Sequence, residues 1–123
     1  MPTLIACLST GKGTWSEVTK IMNSQPWDKV FLITNSFGRD NFTSPDPKVS
    51  LIVVDTFAEP VALTEQILKE LKGKITDFEV GINMVSGSGK EHMALLEAVL
   101  ESGLNFRLVT LNNGQVEVMG MKR

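Results

Sequence analysis

Apolar and polar positions along this chain fall into short blocks that alternate between two periods. Thr3 to Leu8 and Lys29 to Thr34 are short apolar runs rich in β-formers and predict buried strands. Val49 to Val54, Phe78 to Met84 and Asn105 to Leu111 read the same way. Between them lie stretches with helical spacing. Thr14 to Met22 turns Val18, Ile21 and Met22 to one side. A longer stretch, reaching Leu71, carries Leu63, Ile67, Leu68 and Leu71 as its buried stripe. Its start is marked by Thr56 and Glu59 at capping-box spacing and by Pro60 in the first turn, and its stop by Gly73. A third helix is predicted over Lys90 to Ser102, with Met93, Leu96, Val99 and Leu100 apolar and Gly103 as terminator. Asn112-Asn113-Gly114 reads as a hairpin turn into a last strand, Gln115 to Met119. Asn35 to Lys48, punctuated by Gly38, Pro45 and Pro47, predicts the longest and most mobile loop.

Strands alternating with helices predict an α/β fold, a mostly parallel sheet with helices on both faces. Right-handed crossovers narrow the choice. The expected arrangement is Rossmann-like, in strand order 3-2-1-4-5-6, with a C-terminal antiparallel β-hairpin. The 123 residues suit one domain, residues 1–123, with no internal repeat.

Composition removes several function classes. A net charge of −2 gives no general pull towards DNA or an anionic membrane, so no direct DNA binding is expected and any anion site is local. One cysteine, Cys7, excludes a disulfide framework and a thiolate metal cluster. One histidine, His92, argues against a His-rich metal site and a Ser-His-Asp triad. No metal and no cofactor are expected. No apolar run is long enough to span a bilayer, and Met1-Pro2-Thr3 lacks the pattern of a signal peptide, so a cytoplasmic protein is expected.

Candidate chemistry sits in two turns. The first strand runs into Ser9-Thr10-Gly11-Lys12-Gly13, and the fourth into Ser86-Gly87-Ser88-Gly89-Lys90. Both feed a helix N-terminus, and the expected strand order makes them neighbours at the point where the sheet reverses direction, where such sheets bind ligands. Glycines admit close approach of backbone N–H groups, helix N-termini carry partial positive charge, and hydroxyls and lysines add donors. Such a pair suits an anion, most simply one with phosphates. Either turn alone is better explained by turn geometry and capping, and it is the pair at one switch point that points to a ligand.

Known nucleotide fingerprints do not fit. Walker A needs Gly where Met84 stands and Ser or Thr where Glu91 stands. The dinucleotide pattern has Ser16 in place of its third Gly, and Ile33-Thr34-Asn35 supplies no acid at the end of the second strand.

The run Asn83-Met84-Val85-Ser86-Gly87-Ser88-Gly89-Lys90, followed by Met93, Ala94 and Leu95, resembles the Asn-x-Thr-Gly-Gly-Thr-Lys turn of the CARF domain, the CRISPR-associated Rossmann-fold sensor module. One extra residue follows Asn83, and Ser88 splits the glycine pair. The likeness extends over nearly the whole chain, with a Ser/Thr/Gly turn after the first strand, a variable loop after the second and a terminal hairpin.

The resemblance implies a homodimer that binds cyclic oligoadenylate, the second messenger of type III CRISPR antiviral defence. Ser9, Thr10, Gly11, Lys12 and Gly13 with Ser86, Gly87, Ser88, Gly89 and Lys90 would hold ring phosphates. The segment from Asn35 would cover adenines, with Phe37, Arg39 and Phe42 against the bases. It also implies a metal-independent ring nuclease as one form of the family. There Ser9 or Thr10 would orient ribose or phosphate and Lys90 would neutralise developing charge. His92, two residues into the helix, could serve as an acid or base, but an exposed helix-start histidine is the favoured reading. The chain is read as a stand-alone binder, a piece of a larger regulator, or such a nuclease. Alternatives from other classes stay open: a small interaction module without a nucleotide ligand, pairing through its hairpin or through Trp15 and Trp27, or a binder of another small phosphorylated metabolite.

Overall fold

The computed structural model describes residues 3–9, 12–44 and 46–120, and of Lys12 the backbone alone. Six strands form one sheet in the order β3-β2-β1-β4-β5-β6. They are β1 (Thr3–Leu8), β2 (Lys29–Thr34), β3 (Val49–Val53), β4 (Glu79–Asn83), β5 (Asn105–Asn112) and β6 (Gln115–Val118). The first five run parallel, and β5 and β6 form an antiparallel hairpin turned by Asn113 and Gly114, both with positive φ. The helices are α1 (Trp15–Met22), α2 (Ser36–Asn41), α3 (Pro60–Leu71) and α4 (Gly89–Glu101), with a 3-10 turn over Lys12–Thr14 leading into α1.

The central strands are buried on both sides, which is why they read as unbroken apolar runs. The pleat sends alternate residues to opposite faces. Ile5, Cys7, Phe31, Ile33, Val80 and Ile82 pack under α3 and α4. Leu4, Ala6, Leu8, Val30 and Leu32 pack under α1 with Trp15 and Trp27. The Trp27 ring lies over Gly81, where an added Cβ would come within 2.9 Å of it, so the glycine in β4 makes room for the indole. Both tryptophans are buried and both indole N–H groups donate to backbone carbonyls, which removes them from any partner surface.

Three expectations need correction. The segment after β2 contains a helix, α2, capped by the Asn35 side chain, which accepts from the Gly38 N–H at 3.0 Å. Gly38 is buried against Thr34, and an added Cβ would lie 3.1 Å from the Leu8 carbonyl, so α2 sits hard on the ends of β1 and β2. At the start of α3 the N-cap is Glu59 without a side-chain bond, so the Thr56–Glu59 capping box does not form. In α4 the buried side is Glu91, Ala94, Leu95, Ala98 and Val99. Of the apolar set Met93, Leu96, Val99 and Leu100, Val99 is fully buried and Leu96 packs half-buried against the core, whereas Met93 is 61% and Leu100 59% exposed, so only part of the set faces inward. Among the described residues no helix is long and apolar enough to cross a membrane.

Candidate functional site

β1 and β4 are adjacent and parallel, with Leu4 opposite Gly81 and Ala6 opposite Asn83. Their carboxyl ends therefore reach the same rim, and β2 departs from β1 to one side while β5 departs from β4 to the other. The turns that follow β1 and β4 meet there. The Ser9 backbone N–H donates to Ser86 Oγ at 3.0 Å, and both residues are buried.

The second turn is built in steps. Asn83, at the end of β4, donates from its side-chain amide to the Val109 carbonyl at 2.8 Å and accepts from the Val85 N–H at 3.2 Å, which bends the chain out of the strand. Gly87 takes φ +97°, and an added Cβ would stand 3.0 Å from Glu91 Oε1, 3.2 Å from His92 Nε2 and 3.3 Å from Cys7 Cβ. Only glycine fits that point on both counts. Ser88 is the N-cap of α4 and its hydroxyl oxygen accepts from the Glu91 N–H.

At the meeting point lies Glu91, 6% exposed. One carboxylate oxygen, Oε1, accepts from the Ser9 hydroxyl, and the other, Oε2, accepts from the Ser88 hydroxyl at 3.0 Å. The carboxylate thus ties the β1 turn to the first turn of α4, where the helix dipole favours negative charge. The neighbouring Cys7 thiol is pushed up to about 12 from 9.0, first by burial and then by the charge of Glu91. It stays protonated and is no nucleophile at neutral pH. His92 Nε2 lies 2.7 Å from the Ser86 carbonyl oxygen, which can only accept, so Nε2 carries the proton and donates.

The remaining sequence candidates divide. Ser9, Ser86, Gly87, Ser88, Gly89 and Lys90 are gathered around the junction, with Gly89 and Lys90 opening α4 and Lys90 half-buried. Gly13 is exposed within the 3-10 turn. Thr10 and Gly11 lie outside the described residues, as does the side chain of Lys12. Asn35 is spent on capping α2. Arg39 is exposed and pairs with Asp40 at 3.2 Å. Phe37 and Phe42 approach the Trp15 ring with centroids 5.9 and 5.8 Å apart, which anchors both to the α1 side.

Glu91 is the residue that sequence reasoning missed. Its position three after Ser88 is the spacing of an N-cap and its acid, and it falls in helical phase with Ala94, Leu95 and Ala98. A separate cleft of about 610 Å³ lies at the far ends of α3 and α4, lined by Leu68, Leu71, Ile75 and Leu104 with Glu65 and Lys72 among its charged residues. It shares no residue with the serine junction. No group of His, Cys, Asp and Glu among the described residues is placed to hold a metal ion. No family model matches this chain, and no curated protein matches it.

Proposed function

We propose that the junction of the β1 and β4 turns binds the phosphates of a cyclic oligoadenylate, with two copies of the chain sharing one ring. The observation that carries this reading is the direct bond between the turns, Ser9 N–H to Ser86 Oγ, at the carboxyl rim where the sheet reverses. The pairing brings three serine hydroxyls and the N-terminus of a 13-residue helix into one place, with Lys90 beside it. The resemblance of residues 83–90 to the CARF turn supplies the ligand class. The outward apolar positions of α4, Met93 and Leu100, support a second copy as the partner.

Binding is the better supported part. The Cys7 thiol is buried and held protonated, so it is not a nucleophile for the reaction. Cleavage, if added to binding, uses the ligand's own ribose. Its 2′-oxygen bonds to the adjacent phosphorus as the 5′-oxygen leaves, the proton passing from one to the other through solvent or a side chain. Lys90 would stabilise charge on the phosphoryl oxygens.

Calorimetric titration with cyclic tetra-adenylate and cyclic hexa-adenylate tests the proposal, with ATP and NAD as controls. Submicromolar binding of one ring and none of the controls is the expected result. Lys90→Ala should weaken that binding about tenfold, the scale of one charge-assisted contact, at unchanged thermal stability. Absence of affinity for both rings would return the chain to the class of interaction modules.

A further inference from the structure

Glu91 has no part in the binding scheme above, yet it occupies the middle of it. Its two oxygens take two serine hydroxyls at a helix N-terminus, the donor set that a phosphate would use. Glu91 is 6% exposed, and two serine hydroxyls and the N-terminus of α4 hold its carboxylate in place. A Cβ at Gly87 would stand 3.0 Å from Oε1, so the glycine leaves room for the carboxylate. The bond from Ser9 spans 82 positions of sequence, so the carboxylate also fastens the β1 turn to α4.

We infer that Glu91 is an internal occupant of the anion position, an autoinhibitory carboxylate that an incoming phosphate must displace. The inference rests on the proposed role of the junction as a phosphate site. Two anions do not share one set of donors at this distance. Entry of phosphate therefore expels Glu91, breaks its bond to Ser9 and releases the β1 turn from α4. Ligand binding and opening of the junction become one event, and Glu91 sets the ligand concentration at which it happens. Trp15 reports on it, because its indole N–H donates to the Ser9 carbonyl at 2.9 Å.

The test compares wild type with Glu91→Gln, which keeps the shape of the side chain and removes its charge. Both proteins carry 5-fluorotryptophan, and ¹⁹F resonances of Trp15 and Trp27 are followed during titration with cyclic tetra-adenylate. The expected result is binding about tenfold tighter or more in Glu91→Gln, with movement of the Trp15 resonance and not of Trp27. Equal or weaker binding in the folded variant overturns the inference and leaves the proposed function standing. If neither protein binds the ring, the proposed function fails, and inorganic pyrophosphate decides the inference alone. A Trp15 response at lower concentration in Glu91→Gln sustains it, and no response in either protein overturns it. Should Glu91→Gln not fold, Glu91→Asp takes its place. It keeps the charge but draws it away from Ser9, so tighter binding than wild type is expected, and equal or weaker binding overturns the inference.

Discussion

The turns after β1 and β4 are nearly the same in letters, yet their described residues differ in physics. The β1 turn enters its helix through a 3-10 turn, and its N-cap, Thr14, makes no side-chain bond. The β4 turn is fully braced. Asn83 bends it, Gly87 takes the left-handed corner, Ser88 caps α4, and Glu91 receives the Ser88 hydroxyl. The β1 turn contributes to the junction by lending Ser9 to the other side, amide to Ser86 and hydroxyl to Glu91. Like composition does not make two equivalent cradles. One turn is a frame, and the other leans on it.

The sharpest way to break that comparison is to add one methyl group to each turn. Gly87→Ala forces φ +97° on an L-residue and crowds Glu91, His92 and Cys7, so it should destabilise the protein by about 2 kcal/mol or more. Gly13→Ala meets nothing within 4 Å, and its backbone is not left-handed, so stability should hold or rise by up to about 1 kcal/mol. Urea unfolding of the two variants measures the difference. Equal losses would mean the β1 turn is braced by contacts as tight as those of β4.

A second pair concerns acids at helix starts. Glu91→Ala leaves the buried Ser9 hydroxyl and the Ser88 hydroxyl without their acceptor, a loss of roughly 1–3 kcal/mol. Glu17, in the first turn of α1, is half-buried and offers a dipole interaction, worth about 0.5 kcal/mol when removed. The same unfolding experiment checks both. A Glu91→Ala loss no larger than that of Glu17→Ala would show that the carboxylate is not holding the turns together.

These contrasts explain what could be read from the sequence. The sheet order was legible because buried parallel strands announce themselves as unbroken apolar runs, while Gly73 and Gly103 stop the helices between them and Asn113-Gly114 turns the hairpin. The neighbouring of the two turns followed from that order. α2 was not legible because its six residues are too few for a helical period and Gly38 within it looks like a breaker. Its signal was Asn35, a capping residue. The α4 face was legible only in part, at Val99 and Leu96, because apolar residues surround most of that helix and the phase has to come from elsewhere. Glu91 would have supplied it. It is an acid in step with Ala94, Leu95 and Ala98, and the hydroxyls of Ser9 and Ser88 make its burial tolerable. Such satisfaction depends on a partner 82 positions away, which no local pattern encodes.

The effect under the junction, at Cys7, is nil at neutral pH and confined to alkaline solution. In the unfolded chain the thiol ionises around 9.0, whereas in the folded protein it keeps its proton until about 12. Below pH 9 both states hold the proton, and the thiol's contribution to stability is fully present. As pH rises from 9 through 12 the unfolded state alone loses its proton, so the contribution drains away. Wild type should therefore lose stability over that window relative to Cys7→Ala, while the two curves run parallel from pH 6 to 8. Burial is the larger cause of the shift and the Glu91 charge the smaller. In Glu91→Gln the thiol should thus ionise at a pH lower than in wild type but still above 9.0, as read from thiolate absorbance at 240 nm. A thiol that titrates unchanged in that variant would place the Glu91 charge away from Cys7 and loosen the packing on which the junction is built.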